Sequence, residues 1–281
     1  MLKTFKIGGI HPADNKLTRG AAIEDFGVPA TVTIPVSQHI GAPASPVVKK
    51  GDNVKVGQVI ATATGFVSSN IHASVSGTVT AVDNVPDGGG LRKQAIVIQV
   101  EGDEWEEGID RTDTLVKECD LDAKEIVAKI AAAGIVGMGG ATFPTQVKLS
   151  VPPGKKAEFL IINGVECEPY LTADHRVMLE RGEELLVGIK ILMKCLGVEQ
   201  AYIGIENNKP DAIAHLSGLA AGYEGIEIVP LRMKYPQGGE KQLIDAVIGR
   251  QVPSGRLPID VGAVVQNVGT KSDRSHVVLW A

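Results

Sequence analysis

FLIINGVECEPYLTADHR, residues 159–176, is the stretch on which the fold turns. Phe159–Ile162 is an apolar run of strand length, and Asn163-Gly164 closes it with turn chemistry. Beyond Thr172 the apolar period lengthens, which predicts a long helix over about 172–196. The alternation then repeats: strand AYIGI at 201–205, helix over about 209–222, strand IEIVPL at 226–231, helix over about 239–249, strand GAVV at 262–265. Upstream, Asp122–Ala133 reads as an amphipathic helix with Ile126, Val127 and Ile130 on one side. Strands alternating with helices predict a mainly parallel, Rossmann-like α/β sheet with crossover connections over 122–270.

Residues 1–103 read as all-β. VKKGDNVKVGQVIATA and IHASVSGTVTAVD are β-branched runs broken by Gly-Asp and Asn turns, suited to two hairpin-like halves folding on each other. That pattern resembles the barrel-sandwich, or biotinyl/lipoyl-like, module. Carrier versions of the module show a modifiable lysine at the tip between the halves. Here the tip is GFVSSNIHAS, without lysine, so the module is expected to dock or brace instead of carrying a group. His11 and His72 are read as ordinary solvated or hydrogen-bonded histidines. Residues 104–121, with the acidic stretch EGDEWEEGIDRTD before and within them, read as a surface connection.

Composition removes several classes of function. A net charge of -5 without a basic patch argues against nucleic acid as a partner. No apolar run approaches the roughly 18 residues of a bilayer span. MLKTFKIGG is too quickly broken by glycine for a signal peptide, so a cytoplasmic protein is expected. Cys119, Cys167 and Cys195 form no CxxC pair and no disulfide framework. Cys167 lies between Glu166 and Glu168, whose charges should raise its pKa; it is read as a bystander.

Ligands of open parallel sheets bind beyond the carboxyl ends of the strands. Those ends are unusually polar here: Asn163 to Tyr170, Glu206-Asn207-Asn208, Arg232 to Glu240, and Gln266 to Thr270. All four together predict one cleft, although any one of them alone is an ordinary polar loop. A second signal is Gly134 to Pro144, GIVGMGGATFP, whose glycines would let backbone N–H groups approach an anion. It is neither a dinucleotide fingerprint nor a Walker A loop. Glycines after a helix are equally a helix stop.

With these motifs in order, GMGGATFPTQVK, NGVECEPYLTADHR, YPQGGEKQL and QNVGT, the sequence resembles the C subunit of Rnf-type NADH:ferredoxin oxidoreductase complexes. GGIHPADNK and the barrel-sandwich module resemble the start of that polypeptide. Residues 122–270 are more distantly similar to the flavin/NADH-binding subunit of respiratory complex I.

The resemblance implies that FMN binds and that NADH is its reductant. Gly137, Gly139 and Gly140 would lie along the flavin and dinucleotide, and Lys148 near the flavin ring. Asn163 and Glu166 would contact the flavin, Glu168 the nicotinamide. Tyr235, Gly238 and Glu240 would form the second wall, Asn267 and Thr270 the phosphate end, and Phe143 would stack on adenine. Phe143 and Tyr235 are equally read as core aromatics. The resemblance also implies other subunits of a membrane complex as partners, ferredoxin indirectly, and a position at the cytoplasmic face of the inner membrane held through those partners.

Three positions depart from complex I-like sequences: Met138 stands where they have Arg, Gly239 where they have an acidic residue, Val165 where they have Asp. These weaken the case for an identical NADH pose. The family continues past QNVGT into a β-grasp domain and ferredoxin-like cysteine runs that hold 4Fe-4S clusters. Three cysteines cannot supply a four-thiolate cluster. Residues 271–281 are therefore expected to be an atypical tail on a truncated product. A cobalamin-reductase-like flavoprotein and a non-catalytic docking fragment stay open as alternatives.

Overall fold

The computed structural model describes residues 2–112 and 114–271. The tail predicted at 271–281 lies outside the described residues beyond Lys271. Two compact units form, one from residues 2–24, 115–123 and 149–271, the other from 25–114 and 124–148.

The second of these contains the barrel-sandwich module. Its strands are β1 (Thr31–Pro35), β2 (Ser45–Pro46), β3 (Asn53–Val54), β4 (Val59–Thr62), β5 (Ile71–His72), β6 (Gly77–Pro86) and β7 (Arg92–Val100). Among the described residues they make two antiparallel sheets, ordered β1-β7-β6-β3 and β2-β4-β5. Period-2 alternation turns Ile96 and Ile98 of β7 inward, where they meet Ile34, Val54, Ile60 and Val79. The lysine-free tip presents Phe66, 71% exposed.

Helix α1 (Ala123–Ala132) and the glycine-rich stretch after it group with this module, whereas the sequence reading gave them to the α/β domain. Side-chain bonds explain the grouping. Asn70 Nδ2 donates to the Ala132 carbonyl at 3.2 Å, and Gln146 Nε2, from α2 (Thr145–Leu149), donates to the Ser68 carbonyl at 2.8 Å. Gly134 is required here: its φ is +68°, and a Cβ would sit 2.3 Å from the Asn70 carbonyl oxygen.

The other unit is built on β8 (Phe159–Asn163), α3 (Ala173–Glu180), α4 (Gly182–Leu196), β9 (Gln200–Glu206), α5 (Pro210–Ala220), β10 (Ile226–Leu231), α6 (Glu240–Ile248) and β11 (Ala263–Asn267). As the alternation predicts, the sheet is parallel throughout, ordered β10-β9-β8-β11. On one face Ile161, Val229 and Val265 pack against Leu243, Ile244 and Val247 of α6. The alternate residues Leu160, Ile162, Ile203 and Ile205 are also fully buried, as in a sheet covered on both faces.

The single helix predicted over 172–196 is instead two. Arg181 leaves helical geometry at φ -135°, ψ 33°. A Cβ at Gly182 would lie 2.8 Å from Leu219 Cδ1 and 3.0 Å from His215 Nε2, so this glycine lets α4 start tight against α5.

Residues 2–24, expected with the β module, belong to the sheet unit. Lys3 bridges Leu231 in parallel, and Ile10 pairs antiparallel with Tyr235. Gly9 allows this approach at φ +89°: a Cβ would lie 2.6 Å from both Lys234 Cε and Phe5 Cζ. Among the described residues no helix is long and apolar enough to cross a membrane.

Candidate functional site

Strands β8, β9 and β10 are laid down in one direction across the sheet, and β11 then returns to the far side of β8. The reversal puts the topological switch point between β8 and β11, where the carboxyl ends of adjacent strands open a crevice. Asn163 and Asn267 are register partners at those two ends.

Both asparagines serve as cross-braces. Asn267 Nδ2 lies 3.3 Å from the Asn163 carbonyl oxygen and 2.8 Å from Asp174 Oδ2, while its Oδ1 accepts the Gly269 N–H at 2.7 Å. Asn163 Nδ2 donates to the Gly238 carbonyl at 2.8 Å, and its Oδ1 accepts the Val165 N–H at 3.2 Å. The Gly238 N–H points at Cys167 Sγ, 3.3 Å away. Four predicted residues, Asn163, Glu166, Gly238 and Asn267, thus share one hydrogen-bonded neighbourhood through Asp174 and Cys167.

The connection from β8 to α3 is held from beneath by two buried lysines. Lys16 Nζ donates to the carbonyls of Glu166 (2.8 Å), Glu168 (2.9 Å) and Leu171 (2.5 Å). Lys209, with no exposed surface, donates to the Val165 carbonyl at 2.8 Å and to Asn208 Oδ1 at 3.1 Å. A trans peptide aims its N–H opposite its C=O, so the Glu166 and Cys167 N–H groups point away from the lysines. The Glu166 N–H has no acceptor among the described residues. Its carboxylate is half satisfied: Oε1 accepts the Asp174 N–H at 2.7 Å, whereas Oε2 is buried without a hydrogen bond, 3.8 Å from Lys16 Nζ.

Burial dominates the electrostatics. It pushes the Asp174 carboxyl up to about 6, helped by the Glu166 charge and opposed by the Asn267 hydrogen bond and the two lysines. Burial also raises Glu206 and lowers Lys209, the latter helped by the Lys16 charge and opposed by neighbouring carboxylates. The Cys167 thiol is raised, as expected, but burial is the main cause and the carboxylates of Glu206 and Glu168 are lesser ones. The bystander reading of Cys167 also needs amending, since its sulfur receives the Gly238 amide.

The predicted four-ended cleft is narrower than expected. The ends of β9 and β10 are taken up by the chain's own residues 3–14: Asn208 Nδ2 donates to Asp14 Oδ2 at 3.2 Å, and Lys234 Nζ bonds the Phe5 carbonyl above that ring. Glu206 Oε1 accepts the Lys234 N–H, and Asn207 Oδ1 the Met233 N–H. Tyr235 is half-buried, its backbone paired with Ile10. Glu240 opens the first turn of α6, Glu168 is exposed, and Thr270 is buried in the short 3-10 turn Val268–Lys271.

The remaining predicted residues belong to the other unit. Val136 bridges Pro144, and the Gly137 N–H donates to the Phe143 carbonyl at 2.9 Å, so residues 138–142 form the tip of a tight loop. Gly139 and Gly140 are exposed at that tip; Phe143 and Lys148 are half-buried. A Cβ at Gly137 would make an ordinary 3.5 Å contact, so the loop's own packing does not demand glycine there.

Lys16, Asp174 and Lys209 border the candidate site and were not singled out from the sequence, whereas Glu206 was, at the end of β9. Separations of about 150 residues, as between Lys16 and Glu166, leave no local pattern. The one available signal was that Lys16 is the last residue of the GGIHPADNK motif.

The donor set fits the polar edge of an isoalloxazine, which offers carbonyl acceptors and one imide N–H. The Glu166 amide would serve the acceptors.

The Nuo51 FMN-binding domain model matches residues 130–273, and the RnfC barrel sandwich hybrid domain model matches residues 3–103. The C subunit of the proton-translocating ferredoxin:NAD(+) oxidoreductase complex of Clostridium ljungdahlii is 55% identical over 274 residues, covering 96% of this chain and 58% of that protein. Its counterpart in the Na(+)-translocating complex of Acetobacterium woodii is 49% identical, covering 95% of this chain and 60% of that one. The chain therefore spans about three fifths of the length of these relatives. A crystal structure of an NAD+-reducing [NiFe]-hydrogenase in the air-oxidized state superposes with a TM-score of 0.52 at 25% identity, over 59% of this chain and 33% of that one.

A parallel sheet with its switch point between β8 and β11, in a chain that also carries a barrel-sandwich module, defines a flavin-domain protein of this class. The chain belongs to the Nuo51 FMN-binding domain family, in the form found in the C subunit of Rnf-type complexes.

Proposed function

We propose that this chain is the FMN-holding, NADH-oxidising portion of an electron-transfer subunit of a membrane-associated NADH:ferredoxin oxidoreductase complex. The observation that carries the reading is the Asn163–Asn267 pairing at the switch point, inside the residues matched by the FMN-binding model. Bound FMN would supply the chemistry that the side chains lack, taking a hydride and passing electrons on singly.

The residues' part is to bind, orient and bias. Asn163, Glu166 and Gly238 would hold the polar edge of the ring. Asn267 and Thr270 would stand at the phosphate end, beside the amides of a short 3-10 turn. Gly137, Gly139 and Gly140 would give close backbone approach, and Lys148 a cation favouring the anionic reduced ring. Tyr235 and Glu240 would line the second wall, Phe143 would stack on adenine, and Glu168 would sit by the nicotinamide. No general acid or base is required, because positioning the nicotinamide over the ring supplies most of the acceleration. The 4Fe-4S clusters, the ferredoxin and the membrane subunits belong to the wider complex, at the cytoplasmic face of the inner membrane.

FMN-loaded protein mixed anaerobically with NADH tests the activity. Loss of the bound flavin's visible absorbance at a rate saturable in NADH is expected. Flavin that stays oxidised in excess NADH contradicts it.

A further inference from the structure

The segment between β8 and α3 has no regular hydrogen-bond ladder of its own. It carries two non-glycine residues in the left-handed region, Glu166 at φ 45° and Tyr170 at φ 70°. Such a conformation persists where surrounding groups over-determine it. The groups that do so here come from elsewhere in the chain. The side chain of Lys16 is 2% exposed and commits all three of its protons to carbonyls of this segment, those of Glu166, Glu168 and Leu171. The Asp14 carbonyl adds a bond from the Tyr170 N–H at 2.9 Å, and Thr18 Oγ1 lies 2.6 Å from Thr172 Oγ1. Residues 14–18 therefore grip the segment at both of its strained positions and at its entry to α3.

We infer that Lys16 is a positioning residue for the flavin and nicotinamide site: by drawing three carbonyls inward it turns the Cys167 amide and the Glu168 side chain outward, to where a cofactor can use them. The inference rests on the proposed FMN reading, and it adds a requirement. The site is complete only when the N-terminal segment is docked, so the segment that precedes the barrel-sandwich strands is a working part of the α/β unit. Lys209 holds only the Val165 carbonyl and cannot substitute for three bonds further along.

The test uses the 281-residue chain with Lys16→Met, which keeps the length of the stem and removes the ammonium, and Lys16→Gln, which keeps an uncharged NH2 with two donors. Leu17→Ala, at the neighbouring exposed side chain, is the control. Hydrogen exchange of the flavin-free proteins should show amides of residues 164–172 exchanging at least about tenfold faster in Lys16→Met, with β8, β9 and β11 as protected as in the wild type. FMN titration should show the dissociation constant rising by about tenfold or more in Lys16→Met and less in Lys16→Gln, with Leu17→Ala unchanged. If Lys16→Met does not fold, Lys16→Gln carries both measurements. A lowered Tm with FMN affinity and 164–172 exchange unchanged would mean a merely structural lysine and would overturn the inference. If the wild-type chain binds no FMN, the proposed function fails on its own; the exchange measurement then decides alone, unchanged exchange overturning the role of Lys16.

Discussion

Asn267 reaches across from the end of β11 to the end of β8, its Nδ2 3.3 Å from the Asn163 carbonyl oxygen and 2.8 Å from Asp174 Oδ2. One side chain thereby ties together two adjacent strand ends and the first turn of α3, at the point where the sheet reverses its order.

Removing that tie should be felt in stability. Asn267→Ala leaves the Gly269 N–H without its acceptor and Asp174 without its donor. A loss of about 1–3 kcal/mol is expected for such buried polar groups. Urea unfolding of wild type and variant measures it; a difference within about 0.5 kcal/mol would show that the brace is idle.

Asp174 predicts a pH dependence with a definite sign. In the unfolded chain its carboxyl releases its proton near 3.8, whereas in the folded protein it holds it up to about 6. Between those values the folded state binds the extra proton, so this group favours folding at acid pH and loses that effect as the pH rises through about 6. Asp174→Asn should flatten this part of the stability profile and raise stability at pH 7 by about 1–3 kcal/mol. Thermal melts across pH 4–8 check it. A variant that falls off as steeply as the wild type contradicts it.

Gly9 predicts a local steric effect. With φ at +89° and a would-be Cβ 2.8 Å from the Tyr235 carbonyl oxygen, alanine must displace the Ile10–Tyr235 pairing. Gly9→Ala should destabilise the α/β unit by about 1–3 kcal/mol, and Gly8→Ala, in open space, by less. Comparing the two variants by denaturation, with hydrogen exchange read at the Tyr235 amide, separates strain from collision.

Much of the sheet was legible in the sequence because short apolar runs, Phe159–Ile162 and Ile226–Leu231 among them, end in Asn, Gly or charged residues. The break between α3 and α4 was not, since it depends on how closely Gly182 meets Leu219 and His215, which lie over thirty residues away. The docking of residues 2–24 on the sheet unit was hidden for a related reason. Their apolar content is thin, and what holds them is the single core residue Phe5 with backbone pairing at Lys3 and Ile10 and the buried ammonium of Lys16. Of the candidate site, Asn163, Glu166, Gly238 and Asn267 were singled out by their place at strand ends and by the resemblance, and the structure brings them together. The charged layer beneath them was not, because the burial of a lysine such as Lys209 leaves no trace in its neighbours. The glycine-rich loop was read as a loop; within it Gly134 is demanded by packing of its own unit and Gly140 by its φ of +110°.

Equilibrium titration of the flavin-free chain with FMN, followed by flavin absorbance and fluorescence, tests the central claim most directly. A saturable one-to-one change is predicted, with Asn267→Ala weakening it by about tenfold, near 1.4 kcal/mol. A flavin spectrum identical to free FMN at saturating protein, or equal affinity in wild type and Asn267→Ala, would contradict a flavin site at the β8–β11 switch point.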